Sequence, residues 1–99
     1  LAAYFIAQYV VKDPKLYREY QATGAPTIAA AGGELVAFDV AAETIEGKPP
    51  GPTTVIVKFE SSEAAKAWYE SPEYQAALPK RLAATEGFAV LSQSMNLGV

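Results

Sequence analysis

An α+β fold built on one antiparallel four-stranded sheet is what these 99 residues predict. Three observations carry that expectation. Stretches rich in β-branched and aromatic residues alternate with stretches that open on helix caps, in the order strand, helix, strand, strand, helix, strand. The first strand is apolar on both faces, as a central strand covered on two sides must be. The run "GKPPGP" (47–52) falls between the second and third strands, where a loop is required.

The elements follow in order. "AYFIAQYVV" (3–11) carries Phe5, Ala7, Tyr9 and Val11 on its odd face and Tyr4, Ile6, Gln8 and Val10 on its even face. In "KDPK" Asp13 is an N-cap and Pro14 the first helical residue, because proline's missing N–H costs nothing there. Leu16, Tyr20, Thr23 or Gly24, Thr27 and Ile28 share one helical face, and Lys15 and Glu19 form an exposed i,i+4 pair. Gly24 and Pro26 predict a kink near residues 22–25, and Gly32-Gly33 ends the helix. "ELVAFDVAAETIE" (34–46) reads as a second strand, irregular near Asp39. "TTVIVKFE" (53–60) is a third, with Val55, Val57 and Phe59 facing one way and Thr54, Ile56 and Lys58 the other.

Ser61 or Ser62 caps a helix running to Glu70, and Ser71-Pro72 restarts one. That second piece places Tyr74, Ala77, Leu78, Arg81 and Leu82 on one face, with Pro79 bending it. Gly87 is expected to close it, before a last strand "FAVLSQSM" (88–95); the tail "NLGV" (96–99) carries no signal. The order is that of a ferredoxin-like split βαβ fold, one domain over residues 1–99 with its helices on one face of the sheet. On the other face Tyr4, Ile6, Val10 and Ile56 would form an exposed apolar patch. A second copy, packed sheet against sheet, is the simplest cover, so a homodimer is expected.

Composition narrows the chemistry. Cys and His are both absent, which removes disulfides, thiol catalysis, the usual metal and haem ligands and the usual near-neutral proton shuttle. Only two Asp are present, at 13 and 39, too few for a carboxylate cage, so no metal or other cofactor is expected. The net charge is −3 and the two Arg, 18 and 81, are far apart, so there is no basic stripe for nucleic acid. No apolar run is long enough for a membrane span, and "LAAYFIAQYVV" reads as a strand rather than a leader. The expected setting is cytoplasmic.

A resemblance now enters. Tyr17 and Tyr20 in the first helix, "GG" before the second strand, "IEG" (45–47), and "VIVKFESSEAAKAWYESPEYQ" followed by Arg81 resemble the DUF1330 family, small domains of unknown function in the dimeric α+β barrel superfamily. The resemblance covers nearly the whole chain and implies the same fold. Two departures stand out. The family pattern has Arg-Gly where this chain has Phe38-Asp39; it often opens the third strand with Arg and holds a Glu before the Phe, where this chain has Thr54 and Lys58. A pocket lined by those family charges therefore has a different polarity here. The superfamily also holds cofactor-free monooxygenases, lactone isomerases, haem enzymes and ligand-binding regulatory domains, so fold alone supplies no activity.

Each candidate residue has a packing reading beside a binding one. Trp68 beside Ala64, Ala65 and Ala67 reads as a large aromatic on small neighbours, or as the wall of a ligand cleft. Tyr69 and Tyr74 straddle the helix break, where their hydroxyls reach solvent, a backbone group or a ligand. Ser71 is a cap, since no His exists to make it a nucleophile. Tyr20 joins the candidates from the first helix. Arg81 lies two turns beyond Tyr74; with Glu46 it would form an ion pair, or it would present its guanidinium to an anion. Gln8 and Lys58 point to the face assigned to the dimer and are polar groups for an otherwise apolar pocket there. The expected function is binding of a small organic molecule in a sheet-side cavity. The alternative is a cofactor-independent monooxygenase- or isomerase-like enzyme acting on a small aromatic or lactone substrate.

Overall fold

The computed structural model describes residues 1–95. Its elements are β1 (Ala3–Val11), α1 (Pro14–Ala30), β2 (Glu34–Asp39), β3 (Thr53–Phe59), α2 (Ser62–Glu70), α3 (Pro72–Ala84) and β4 (Thr85–Gln93). The sheet order is β2-β3-β1-β4 and every pairing is antiparallel. The odd residues of β1 are buried with the helices, while its even residues stay half-exposed on the open face. Two-sided apolarity in β1 thus has one side already used.

Caps settle the helix starts as the sequence predicts. The Asp13 carboxylate accepts the Leu16 N–H at 3.1 Å, and Ser61 Oγ accepts the Ala64 N–H at 3.0 Å. Ser71 serves two helices. Its Oγ donates to the last-turn carbonyl of Trp68 at 2.7 Å and accepts the Tyr74 N–H at 3.2 Å, so one hydroxyl closes α2 and opens α3. α1 ends on Gly32, whose φ of 80° is the left-handed cap conformation that glycine adopts without steric cost.

α1 runs from Pro14 to Ala30 through Gly24 and Pro26, with Thr27 Oγ1 donating to the Gly24 carbonyl at 2.6 Å. Two expectations need correction. β2 stops at Asp39 instead of Glu46, because the Asp39 carboxylate takes the Ala41 N–H at 2.8 Å and turns the chain out of the ladder. A register shift between Leu35 and Ala37 leaves Val36 as a bulge. Gly87 does not end α3. The helix stops at Ala84, where Thr85 bonds the Arg81 carbonyl through both its N–H and its hydroxyl. Gly87 lies inside β4 opposite Tyr9, where a Cβ would run into the Gln8 carbonyl oxygen and Tyr9 Cα.

The core lies between the sheet and the helices. Trp68, Tyr74, Phe59 and Val57 are its largest fully buried side chains. Trp68 stacks at 4.2 Å on Tyr74, meets Phe5 edge-on at 5.2 Å and Phe59 at 5.3 Å, and donates its ring N–H to Thr27 Oγ1 at 3.0 Å. That donor is satisfied, so the buried indole carries no unmet polar group.

Candidate functional site

Four tyrosines and an arginine meet where α1, α3 and β1 converge. The α1–α3 pair is the main helix–helix contact, and its far end is fixed by the Lys12 and Asp13 N–H groups, which share the Ala84 carbonyl at 2.7 and 3.2 Å. Tyr9 comes from the buried face of β1. Tyr17 and Tyr20 come from α1, one turn apart, and Tyr74 and Arg81 from α3, two turns apart. The Tyr9 and Tyr17 hydroxyls are 2.7 Å apart, and those of Tyr20 and Tyr74 are 2.8 Å apart. The guanidinium carbon of Arg81 sits 5.8 Å from the Tyr9 ring centre and 5.9 Å from that of Tyr20, within cation–π range of both.

Electrostatically this is an uncommon interior. Arg81 is 5 % exposed, its Nε has no hydrogen-bond partner, and among the described residues no carboxylate pairs with it. Burial alone would lower its pKa, but Tyr74, Tyr20 and Tyr9 outweigh that and the net shift is upward. Burial pushes Tyr9, Tyr17 and Tyr20 up, so these phenols stay neutral at physiological pH. At Tyr17 the hydrogen bond from Tyr9 opposes the rise without cancelling it. The cluster is therefore one cation ringed by neutral hydroxyls.

The same tyrosines floor a cleft. Tyr9, Tyr17 and Tyr20 line a space of about 90 Å³ between α1 and β2, walled by Ile28, Leu35 and Phe38. It adjoins a wider cleft of about 440 Å³ reaching Arg18, Val40 and Pro52; Tyr17, Gln21 and Phe38 border both. Leu35 and Phe38 are 52 % and 43 % exposed, because α1 does not extend over β2. Two further grooves flank α2. One of about 270 Å³ runs beside β4 along Phe5, Ala65, Tyr69 and Leu91, and one of about 620 Å³ runs toward α1 along Thr27, Ala64 and Trp68.

The sequence candidates divide accordingly. Tyr20, Tyr74 and Arg81 come together. Trp68 is buried in the adjoining core, and Tyr69 is half-buried on the β4 side of α2. Gln8 and Lys58 lie on the open sheet face, away from the cluster; Gln8 donates to Thr54 Oγ1 at 3.2 Å, and Lys58 is exposed in register with Tyr4 and Glu34. Glu46 is exposed in the loop after β2, and the proposed Glu46–Arg81 ion pair is not formed. Early termination of β2 is the reason. Tyr9 and Tyr17 were missing from the candidates. The alternation of β1 with Phe5, and the three-residue spacing of Tyr17 and Tyr20, are the signals that point to them. Among the described residues no three His, Cys, Asp or Glu gather to hold a metal, and no helix is long and apolar enough to cross a membrane.

Comparison with known proteins fits this frame. No curated protein matches the sequence. Among solved structures, a protein of unknown function from Rhodopseudomonas palustris is 17 % identical with a TM-score of 0.78, over 96 % of this chain and 83 % of that one. SnoaB, a cofactor-independent oxygenase from Streptomyces nogalater, is 15 % identical with a TM-score of 0.68, over 99 % and 98 %. A dimeric protein of unknown function and ferredoxin-like fold from Bacteroides fragilis is 13 % identical with a TM-score of 0.63, over 94 % and 96 %. At these identities the likeness establishes the fold alone, which is ferredoxin-like. The model of the domain of unknown function DUF1330 matches residues 2–95, and the chain belongs to that family.

Proposed function

We propose that this protein is a homodimeric, single-domain binding module that holds a small organic molecule in the cleft between α1 and β2. One observation carries the reading: Leu35 and Phe38 are left uncovered opposite three tyrosines, and the narrow space of about 90 Å³ there opens into one of about 440 Å³, so that together they have the volume of a small-molecule site. The dimer rests on the open sheet face. Ile6, Ile56 and Val90 stand in register across β1, β3 and β4 there, with Phe88 beside them, and Phe88 and Val90 are half exposed. The dimeric neighbour from Bacteroides fragilis supports it. Light scattering is expected to give twice the 10.5 kDa chain mass; a monomer at micromolar concentration removes the dimer from the proposal.

Neutral naphthamide is the probe for the cleft. It is expected to bind saturably, and Ala25→Trp, which fills the α1 side of the cleft, is expected to weaken binding at least about tenfold. No binding, or equal binding by the variant, ends the cleft reading. Catalysis is the second reading. The likeness to SnoaB and a buried cation behind phenols able to hold an oxyanion favour a cofactor-independent oxygenase-like reaction.

A further inference from the structure

We infer that the natural ligand of the α1–β2 cleft is an organic anion, a planar acid whose charge is balanced by Arg81; this rests on the cleft reading above. A guanidinium moved out of water is stable only when paired or otherwise compensated. Arg81 has two tyrosine rings beside it and a hydrogen bond to Tyr74, yet no carboxylate among the described residues and no acceptor for its Nε. Its compensation is incomplete. The two rings near it, Tyr9 at 5.8 Å and Tyr20 at 5.9 Å from its guanidinium carbon, also line the cleft, so its charge lies in the layer of side chains next to the cleft. A buried charge is screened less by salt and water than an exposed one.

The placement of charge in the rest of the chain agrees. This acidic protein has just two arginines, and both belong to this region: Arg81 behind the floor and Arg18 at the wide mouth. No Asp or Glu lines either part of the cleft. The nearby Glu19 is on the surface and engaged with Lys80 at 3.7 Å. The apolar walls Leu35, Phe38 and Val55 require an organic body, which excludes a bare inorganic ion as the best occupant. A carboxylate there would accept the one hydroxyl proton that the Tyr9–Tyr17 pair leaves free.

The test compares naphthoate with naphthamide, two probes of one shape that differ in charge, by calorimetric titration at neutral pH. Wild-type protein is expected to bind naphthoate at least about tenfold more tightly. Arg81→Met, of similar length and no charge, is expected to abolish that preference, read as the ratio of the two affinities in the same variant. Equal affinities in the wild type overturn the anion inference and leave the cleft reading standing. Failure of both probes overturns both. A preference that survives Arg81→Met shows that Arg81 is not its source and also overturns the inference. If Arg81→Met does not fold, Arg18→Gln decides between the two arginines: the preference is expected to persist in that variant, and its loss overturns the assignment to Arg81.

Discussion

Two aromatic clusters sit side by side under the helices, and they are built for different ends. Around Trp68 the contacts are dry: Phe5, Phe59 and Tyr74 press on the indole, and its single N–H is bonded. Around Arg81 the rings are all phenols, the hydroxyls pair with each other, and a charge is left short of partners. Tyr74 belongs to both, giving its ring to Trp68 and its hydroxyl to Tyr20. Burial is therefore a poor guide to role in this molecule. Polar completeness is the better one, because a satisfied interior needs nothing more and an unsatisfied one has capacity for a ligand.

The contrast can be broken by mutation. Trp68→Ala is expected to cost roughly 3–5 kcal/mol of stability, as other large-to-small core changes do. The measurement is denaturant unfolding followed by circular dichroism, since the variant lacks the one Trp. A loss within experimental error would mean that the dry cluster is not the anchor of the helices.

Alkaline titration sharpens the other side. Tyr9 and Tyr17 have folded-state pKa values raised by burial, so their protons are held more tightly in the folded chain. Below pH about 10 both states keep the proton and this contribution is complete. Above it the unfolded chain ionises first, and stability falls, by up to roughly 1.4 kcal/mol per pH unit for Tyr9 and in the same direction for Tyr17. Denaturant midpoints between pH 8 and about 11 read the slope. Tyr9→Phe is expected to make it shallower; an unchanged slope would show that the phenols around Arg81 are not the groups that resist ionisation.

Much of this was legible in the chain, and the parts that were not share a cause. Caps at Asp13, Ser61 and Ser71 are local chemistry, written within four residues. The alternation of β1 and β3 and the burial of Trp68 follow from period and size, though its neighbours are Phe5, Phe59 and Tyr74 rather than the adjacent alanines. What escaped depends on distant partners. Tyr20 meets Tyr74 across 54 positions, and Tyr9 gains its place in the cluster only when α1 folds back over the sheet. Gly87 looked like a helix stop because its reason lies on another strand, in the backbone of Gln8 and Tyr9. Glu46 seemed near Arg81 only while β2 was read as continuing past Asp39, where one carboxylate–amide bond turns the chain away.

The position of β1 in the sheet has a consequence for the order in which the molecule can be made. As the N-terminal strand of this sequence it occupies an interior place, with β3 on one side and β4 on the other. Ala3 finds Phe59 and, later still, Gln93. A chain emerging from the ribosome must therefore carry nine largely apolar residues without a sheet partner until β3 is out, and with one edge open until β4 follows. Such long-range closure is slow. During synthesis, this interior strand of the finished sheet is also the segment most in need of protection from other chains.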